Sequence, residues 1–284
     1  MAIVKVKGIS YHMDNSLKEK WDKLKEGGLS KIDEDRFYVT DGQEGAGKSI
    51  FTIQQAAYID PTILNDENDK VLPRICFSVD EFLYAVRNTK SNDKETKVVV
   101  FDEAFRGMSS KSALSSVNKK VVQALMEMRQ NNLIVFLVTP SYFLLELYAA
   151  MLRSKALFHV VKKKNSTRRY VRIFNFQNKA KLYQIGIRKG WGYPILTRNR
   201  VNFFNKYPGG SEFEQKYRKK KYDSFKDNEK NEESIHKWKL QRNICIKILY
   251  NMLGTYEKVV EILKKWGFET GITTIHDIIN KNKR

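Results

Sequence analysis

One run of eight residues constrains the fold of this chain more than any other feature: Gly42-Gln43-Glu44-Gly45-Ala46-Gly47-Lys48-Ser49. It matches the pattern GxxxxGK(S/T) and lies between a short predicted strand, residues 36–40, and a predicted helix, residues 49–58. Glycines allow the backbone to curl so that its N–H groups and the start of the helix face an anion. The run therefore predicts a phosphate-binding loop. The alternative is a structural glycine turn with a solvent-facing lysine.

An acidic pair follows a second apolar segment, Val98-Val99-Val100-Phe101-Asp102-Glu103. A continuous apolar run is typical of a strand buried on both faces of a parallel sheet, and ligands bind where such strands end. With a phosphate loop, Lys48 is expected to reach the β- and γ-phosphates of ATP, and Ser49 and Asp102 to hold Mg²⁺. Glu103 is expected to orient or deprotonate the attacking water, which predicts an ATP hydrolase acting on the phosphoanhydride bond.

Apolar segments and helical patterns alternate along the first two thirds of the chain. This order predicts an α/β fold, a three-layer P-loop (RecA-like) sheet with right-handed crossovers. Predicted strands cover residues 36–40, 75–77, 98–101, 133–138, 157–161 and 170–176, with 182–187 as one more candidate, and predicted helices cover 49–58, 79–87, 117–130 and 141–153. The predicted domains are a lead-in (1–35), the P-loop domain (36–189), a basic linker or arm (190–233) and a small all-helical domain (234–284).

Further candidates for the site come from the ends of predicted elements. Thr139 ends the strand after the acidic one, where a polar γ-phosphate sensor is expected; the alternative is an ordinary threonine before Pro140. A charge-neutralising arginine could be Arg129, Arg153 or Arg106, and the sequence does not choose among them. A finger supplied by a neighbouring subunit would require a ring.

The order of P-loop, acidic strand and polar-ended strand, in residues 37–49, 98–103 and 134–139, resembles P-loop ATPases that insert a strand between the first two. Within these, the chain is most similar to DNA motor ATPases encoded by viruses and plasmids, of the FtsK/HerA and terminase types. Residues 102–110 and 126–132 are similar to mobile-element ATPases described as Zot-like. The resemblance implies a motor that moves or packages DNA. The chain differs in lacking the membrane helices of FtsK proteins and room for a terminase nuclease domain.

The positive charge is distributed unevenly. Residues 1–150 hold 20 Lys+Arg against 21 Asp+Glu, whereas residues 151–284 hold 32 against 11. A strongly basic half favours a polyanionic partner, with DNA the first candidate, an anionic membrane face the second, and a merely solvated surface the remaining alternative.

Two cationic clusters interleaved with aromatic residues suit a phosphate track, although each could be a solvated loop or connector. The tail predicts helix, turn, helix, turn, helix, the outline of a helix-turn-helix unit, with a plain bundle for subunit packing as the alternative. The candidate DNA contacts are Lys162, Lys163, Lys164, Arg168, Arg169, Arg218, Lys219, Lys220 and Lys221, with Thr273, Thr274, His276 and Asn280 on the exposed face of the last helix and Lys281, Lys283 and Arg284 after it.

These features together predict an ATP-driven DNA motor from a virus or mobile element, assembled as a homo-oligomer, a hexameric or pentameric ring. The alternative is an ATP-switched DNA-binding protein, such as a replication initiator or partition factor, without translocation. No apolar run approaches the ~20 residues of a membrane span, and no secretion signal is recognised, so a cytoplasmic location is expected, the host cytoplasm if the protein is viral. Cys76 and Cys245 lack zinc-ligand spacing, so no structural zinc is expected.

Overall fold

A computed structural model describes residues 1–67, 70–105, 111–163, 169–190, 192–195 and 197–280, with the backbone alone for 111–113 and 227–236. The chain divides into two compact units, Met1–Lys221 and Tyr222–Arg284. The strands are β1 (Ala2–Val6), β2 (Ile9–Met13), β3 (Arg36–Gly42), β4 (Ile75–Cys76), β5 (Val98–Phe101), β6 (Ile134–Val138), β7 (Ser154–Lys162), β8 (Arg169–Phe174) and β9 (Arg200–Phe203). The helices are α1 (Asn15–Gly27), α2 (Lys48–Ile59), α3 (Val79–Asn88), α4 (Lys111–Glu127), α5 (Phe176–Arg188), α6 (Gly210–Leu253), α7 (Tyr256–Lys265) and α8 (Ile272–Asn280).

A seven-stranded sheet with the order β4-β5-β6-β3-β7-β8-β9 forms the centre of the first unit. The pairs from β4 to β7 are parallel, and β8 and β9 are added antiparallel at one edge. The predicted α/β class with a mainly parallel sheet is confirmed. β6 lies between β3 and the acidic strand β5, as expected for a P-loop fold with an added strand.

Apolar side chains cover both faces of this sheet, which explains the unbroken apolar runs of β5 and β6. One face, including Tyr38, Phe136 and Val160, packs against α2 and the N-terminal elements. The other face, including Val39, Phe101 and Leu137, packs against α3, α4 and α5. Two core layers on opposite faces therefore give the three-layer arrangement. At α3, Ser78 accepts a hydrogen bond from the Glu81 N–H at 3.2 Å and caps the start of the helix.

The N-terminal segment is part of the core and not a lead-in. β1 and β2 form an antiparallel hairpin around Lys7 and Gly8, both with positive φ, as a two-residue turn requires. Inward-facing hairpin residues and Trp21 of α1 are buried in the core that also contains α2. Residues 1–35, expected as a separate lead-in, are part of the first compact unit, and the apolar alternation of β1 and β2 is the local signal for these strands.

Three other predicted elements differ from the structure. Residues 141–153 form a 3₁₀ turn (Tyr142–Leu144) and a π-helix (Tyr148–Arg153) in place of one α-helix. The candidate strand 182–187 lies within α5, because Leu182, Tyr183 and Gly186 form a buried helical stripe. The predicted arm 190–233 contains β9, which pairs with β8, and the start of α6, and its residues up to Lys221 belong to the first unit.

The second unit contains the end of α6 followed by α7 and α8. Its core includes Ile246, Val259, Ile275 and Ile278. Ile275 and Ile278 of α8 are buried in this core. A helix-turn-helix role in DNA recognition remains a prediction. In the part of the chain that the structure describes, no helix has the length and apolar character needed to cross a membrane.

Trp21 provides a test of the integrated N-terminus. Its side chain is 3% exposed, its Nε1–H donates to Gln55 Oε1 at 2.9 Å, and its ring packs edge-on against Tyr38. We expect Trp21→Ala to lower the free energy of unfolding by about 3–5 kcal/mol, measured by urea denaturation followed by circular dichroism. Trp238 is 70% exposed, so Trp238→Ala should cost less than about 0.5 kcal/mol. Equal effects of both substitutions would contradict the packing described.

Candidate nucleotide-binding site

The loop between β3 and α2 depends on glycine at defined positions. Gly42 has φ 137°, and a Cβ there would lie 2.2 Å from the carbonyl oxygen of Val160 on β7. Gly45 and Gly47 have φ 69° and 96°, in the left-handed region that favours glycine. The backbone of β3 therefore approaches β7 closely and then curls into the first turn of α2.

A buried carboxylate anchors the beginning of this loop. Asp41 is fully buried and accepts hydrogen bonds from the Tyr142 backbone N–H at 2.9 Å and from the Tyr193 hydroxyl. His159 on β7 contacts the same carboxylate through Nδ1 at 2.8 Å. These partners compensate for the cost of burying the Asp41 carboxylate, and they fix the position of Asp41 directly before Gly42.

Lys48 is folded over its own loop. Its Nζ donates to the carbonyl oxygens of Gly42 at 2.7 Å and Gln43 at 3.2 Å. Burial lowers the pKa of Lys48, and the carboxylates of Glu103 and Asp102 oppose that change. The ammonium is thus a cation in a partly desolvated position at the N-terminus of α2, which suits an anionic ligand.

The acidic pair lies at the carboxyl end of β5, one strand beyond β6. Asp102 is 1% exposed, and one of its oxygens accepts the Glu103 N–H at 2.9 Å. Glu103 has φ 58°, unusual for a residue other than glycine. This turn ends the strand and aims the Glu103 side chain into the cavity in front of the loop.

Helix α6 brings two further side chains to the acidic pair. The Tyr217 hydroxyl donates to Asp102 Oδ2, and Lys221 Nζ lies 2.8 Å from Glu103 Oε1 and 3.8 Å from Asp102 Oδ2. Burial raises the pKa of Tyr217, and the nearby Asp102 charge adds to this effect, while a hydrogen bond with Ser49 opposes it. Tyr217 and Lys221 are four residues apart, so both lie on one face of the helix.

The donors around Asp102 fit a divalent cation. Ser49 and Asp102 supply the hydroxyl and carboxylate oxygens that Mg²⁺ prefers, and the Tyr217 hydroxyl contacts both of them. In this structure the hydroxyl of Tyr217 and the ammonium of Lys221 contact the carboxylates of Asp102 and Glu103 in the place of a metal ion. Ser49 and Asp102 would hold the ion, which would neutralise charge on bound phosphates.

A cavity of about 620 Å³ lies in front of the loop. Its lining brings together the P-loop, the acidic strand and the antiparallel edge of the sheet: Gln43, Glu44, Gly45, Gly47, Lys48, Ser49, Ile50, Glu103, Phe105, Pro140, Arg169, Asn205, Tyr207 and Lys221. The volume is within the range of small-molecule sites.

The residues predicted as a γ-phosphate sensor or an arginine finger either have other partners or lie at the far edge of the sheet. Thr139 is fully buried, and its hydroxyl donates to the carbonyl oxygen of Ser141 at 3.0 Å. Arg153 pairs with Asp35 and donates to Leu125 O at 2.8 Å. Arg153 precedes β7 and Arg129 precedes β6, so both lie at the sheet edge opposite the P-loop and cannot reach a nucleotide in the same subunit. Arg106 lies outside the described residues.

Several predicted DNA contacts have other partners. Lys220 donates to the carbonyl oxygens of Leu72 and Ile75, and Lys221 pairs with Glu103, so neither belongs to an open phosphate track. Arg169 lines the cavity, which corrects its predicted role. Lys162, Lys163 and Lys219 are exposed, as is Arg218, which pairs with Glu214.

The predicted contacts of the last helix differ in exposure. Thr273, Thr274 and His276 are exposed on α8, and Asn280 is half-buried. The remaining predicted contacts, Lys164, Arg168, Lys281, Lys283 and Arg284, lie outside the described residues.

Sequence reasoning missed Tyr217 as a partner of the acidic pair, and also Asn205 and Tyr207 of the cavity. Their positions depend on contacts across more than 100 residues of chain, for which the local sequence carries no signal. The signal for Arg169 was available: residues 169, 171 and 173 share one face of β8, which is the face of α2.

Two solved structures resemble this chain at low similarity. The N-terminal domain of zonular occludens toxin from Neisseria meningitidis is 13% identical with a TM-score of 0.31, covering 54% of this chain and 91% of that one. A second structure, the ATPase domain of another protein, is 11% identical with a TM-score of 0.32, covering 57% of this chain and 89% of that one. No family model matches the sequence, and no curated protein matches it. The chemistry of the site follows from its own geometry.

Tyr217 and a magnesium ion would compete for Asp102. We expect Tyr217→Phe to strengthen Mg²⁺-dependent binding of ADP about tenfold, because a hydrogen bond to a charged group no longer has to be broken. Isothermal titration calorimetry at several Mg²⁺ concentrations measures this. Tyr183→Phe is the matched control, since its hydroxyl donates to Leu145 O at 2.8 Å on the other face of the sheet. Unchanged or weaker Mg²⁺ dependence in a folded Tyr217→Phe protein would contradict the competition.

Proposed function

We propose that the chain is a nucleoside-triphosphatase that hydrolyses ATP with Mg²⁺ and uses the energy to move DNA. The observation that carries the proposal is the convergence of the P-loop and the acidic pair on one cavity, at the carboxyl edge of the sheet. Lys48 and Ser49 begin α2 after β3, Asp102 and Glu103 follow β5, and β6 separates these two strands. The chemistry of the four residues matches phosphate binding, metal binding and water activation.

Each group has a role in the proposed reaction. The P-loop N–H groups and Lys48 bind the phosphates, and Glu103 accepts the proton of the attacking water. The water oxygen forms a bond to the γ-phosphorus, and the bond to the β–γ bridging oxygen breaks with its electron pair leaving on ADP. Ser49 and Asp102 would hold Mg²⁺, and the bound ion would supply positive charge to neutralise the phosphates. Lys221 must release Glu103 before this carboxylate can act as a base.

The DNA partner is supported by where the positive charge lies. Residues 151–221 hold 20 Lys+Arg against 2 Asp+Glu, whereas residues 222–284 hold 12 against 9. The excess is therefore concentrated in the unit that carries the cavity and not in the helical tail. Lys162 and Lys163 are exposed at the end of β7, the same sheet edge from which the P-loop emerges. A cationic edge beside a nucleotide site suits the binding of a polyanion with an affinity that changes when the nucleotide is hydrolysed.

The P-loop lysine and the acidic base have separable effects. We expect Lys48→Ala to weaken ATP binding, and Glu103→Gln to retain binding while lowering the hydrolysis rate about 10²- to 10⁴-fold, the usual contribution of a general base. Fluorescent-nucleotide binding and phosphate release measure the two effects. Lys120→Ala and Glu95→Gln, at surface ion pairs with Asp80 and Lys97, are the controls. Hydrolysis at the unsubstituted rate by Glu103→Gln would refute the assigned role.

Exposed lysines at the carboxyl edge are predicted to contact DNA phosphates. We expect Lys162→Ala/Lys163→Ala to weaken duplex binding and to reduce the slope of log affinity against log salt by about 2. Fluorescence anisotropy at several salt concentrations measures the slope. Lys20→Ala/Lys23→Ala removes two exposed lysines of α1 and should leave it unchanged. Equal slopes for the two double variants would show that Lys162 and Lys163 do not contact DNA phosphates.

The Glu103→Gln variant also distinguishes a motor from an ATP-switched DNA-binding protein. A switch retains ATP-dependent DNA occupancy in this variant, whereas the directional movement of a motor on DNA stops. Single-molecule tracking of the unsubstituted protein on duplex DNA tests the motor directly. Nucleotide-dependent occupancy without directed movement would favour the switch.

A further inference from the structure

Arg169 is the first residue of β8, where it pairs with Lys162 of β7 and Phe203 of β9. The inward residues of the same strand, Val171 and Ile173, pack in the core layer that contains α2. This alternation directs the Arg169 side chain to the face of the sheet on which the P-loop helix lies. It lines the 620 Å³ cavity together with Lys48 and Glu103.

The guanidinium lies against the last glycine of the P-loop. A Cβ on Gly47 would lie 2.7 Å from Arg169 Nη1 and 2.9 Å from Asn205 Oδ1. Gly47 immediately precedes Lys48, the first residue of α2. The cation is therefore positioned beside the N–H groups that are proposed to bind phosphate, and any larger residue at position 47 would displace it.

Among the residues that the structure describes, no carboxylate forms an ion pair with the partly buried guanidinium of Arg169. Its Nε is buried and has no hydrogen-bond partner among the described residues. Desolvation lowers the pKa of Arg169, although a guanidinium stays protonated at neutral pH. Arg153, in contrast, is neutralised by Asp35. A desolvated donor fork facing a phosphate loop is arranged for a bidentate oxyanion.

We propose that Arg169 binds the γ-phosphate of the nucleotide in the same subunit and neutralises the charge that develops as the β–γ bond breaks. This assignment rests on the proposed ATP hydrolysis. It supplies in cis the arginine that Arg129 and Arg153 cannot supply within one subunit, so the full set of phosphate-binding cations is present in a monomer.

The test compares Arg169→Ala with Arg172→Ala. Arg172 is on the same strand but on the opposite face, toward Phe174 and α5, so it is a matched control. We expect Arg169→Ala to weaken binding of the ATP analogue AMP-PNP about tenfold or more and that of ADP less than about threefold. Its kcat should fall about 10³-fold or more, as for other arginines that act on the γ-phosphate. Arg169→Lys should recover part of the AMP-PNP affinity but little of kcat, because it restores charge without the planar fork.

The two proposals fail in different ways. Absence of nucleotide binding by the unsubstituted protein, or binding that Lys48→Ala leaves intact, would overturn the proposed function. Two results together would overturn the role of Arg169 alone. Lys48→Ala would lose nucleotide binding, and Arg169→Ala would match Arg172→Ala both in kcat and in the ratio of its affinities for AMP-PNP and ADP. If Arg169→Ala does not fold, the same comparison uses Arg169→Lys, and an unchanged kcat in that variant would also refute the assignment.

Discussion

The parallel pairing of β3 with β6 on one side and β7 on the other determines where the chemistry of this molecule is located. Because all three strands run in one direction, their carboxyl ends meet at one edge, where the P-loop leaves Gly42. The contact between the Gly42 backbone and Val160 O leaves no room for a side chain. β6 then sets the separation between the P-loop and Asp102, since β5 pairs with its far side. One strand thus separates the P-loop from the acidic pair, and backbone hydrogen bonds fix this separation.

The burial of Asp102 beside Glu103 is electrostatically unfavourable, and residues from a distant segment of the chain compensate for it. Two neighbouring carboxylates, one of them almost fully buried, would repel each other without a positive partner or hydrogen-bond donors. Tyr217 and Lys221 supply these from one turn of α6. The same contacts occupy the oxygens that a magnesium ion would use. The proposed binding of the metal would therefore compete with these stabilising contacts, and Tyr217 and Lys221 would have to release the carboxylates for the ion to bind.

The parts of the fold that could be predicted are those with local physical signals. The P-loop, the buried strand β5 and the Ser78 cap each follow from a short run of residues whose conformation is dictated by glycine, by burial on two faces or by a side-chain hydrogen bond. The N-terminal hairpin also has a local signal, the alternation of apolar and polar residues along its two strands. Contacts of Tyr217 with Asp102, 115 residues apart, have no such signal, because helix periodicity tells which face is apolar but not what lies opposite.

A count of basic residues along the sequence indicates only coarsely which part of the molecule is suited to an anionic partner. Residues 162–169 read as one basic cluster, yet strand alternation and tertiary contacts place its described members in different environments. Lys163 is exposed beyond β7, whereas Arg169 turns into the cavity beside Gly47. Similarly, Lys219 is exposed while Lys221, two positions later on α6, pairs with Glu103. Two cations that are close in sequence can therefore have different proposed ligands, one the nucleotide and the other DNA. Only the face of the sheet or helix on which each side chain lies distinguishes a role in hydrolysis from a role in DNA binding.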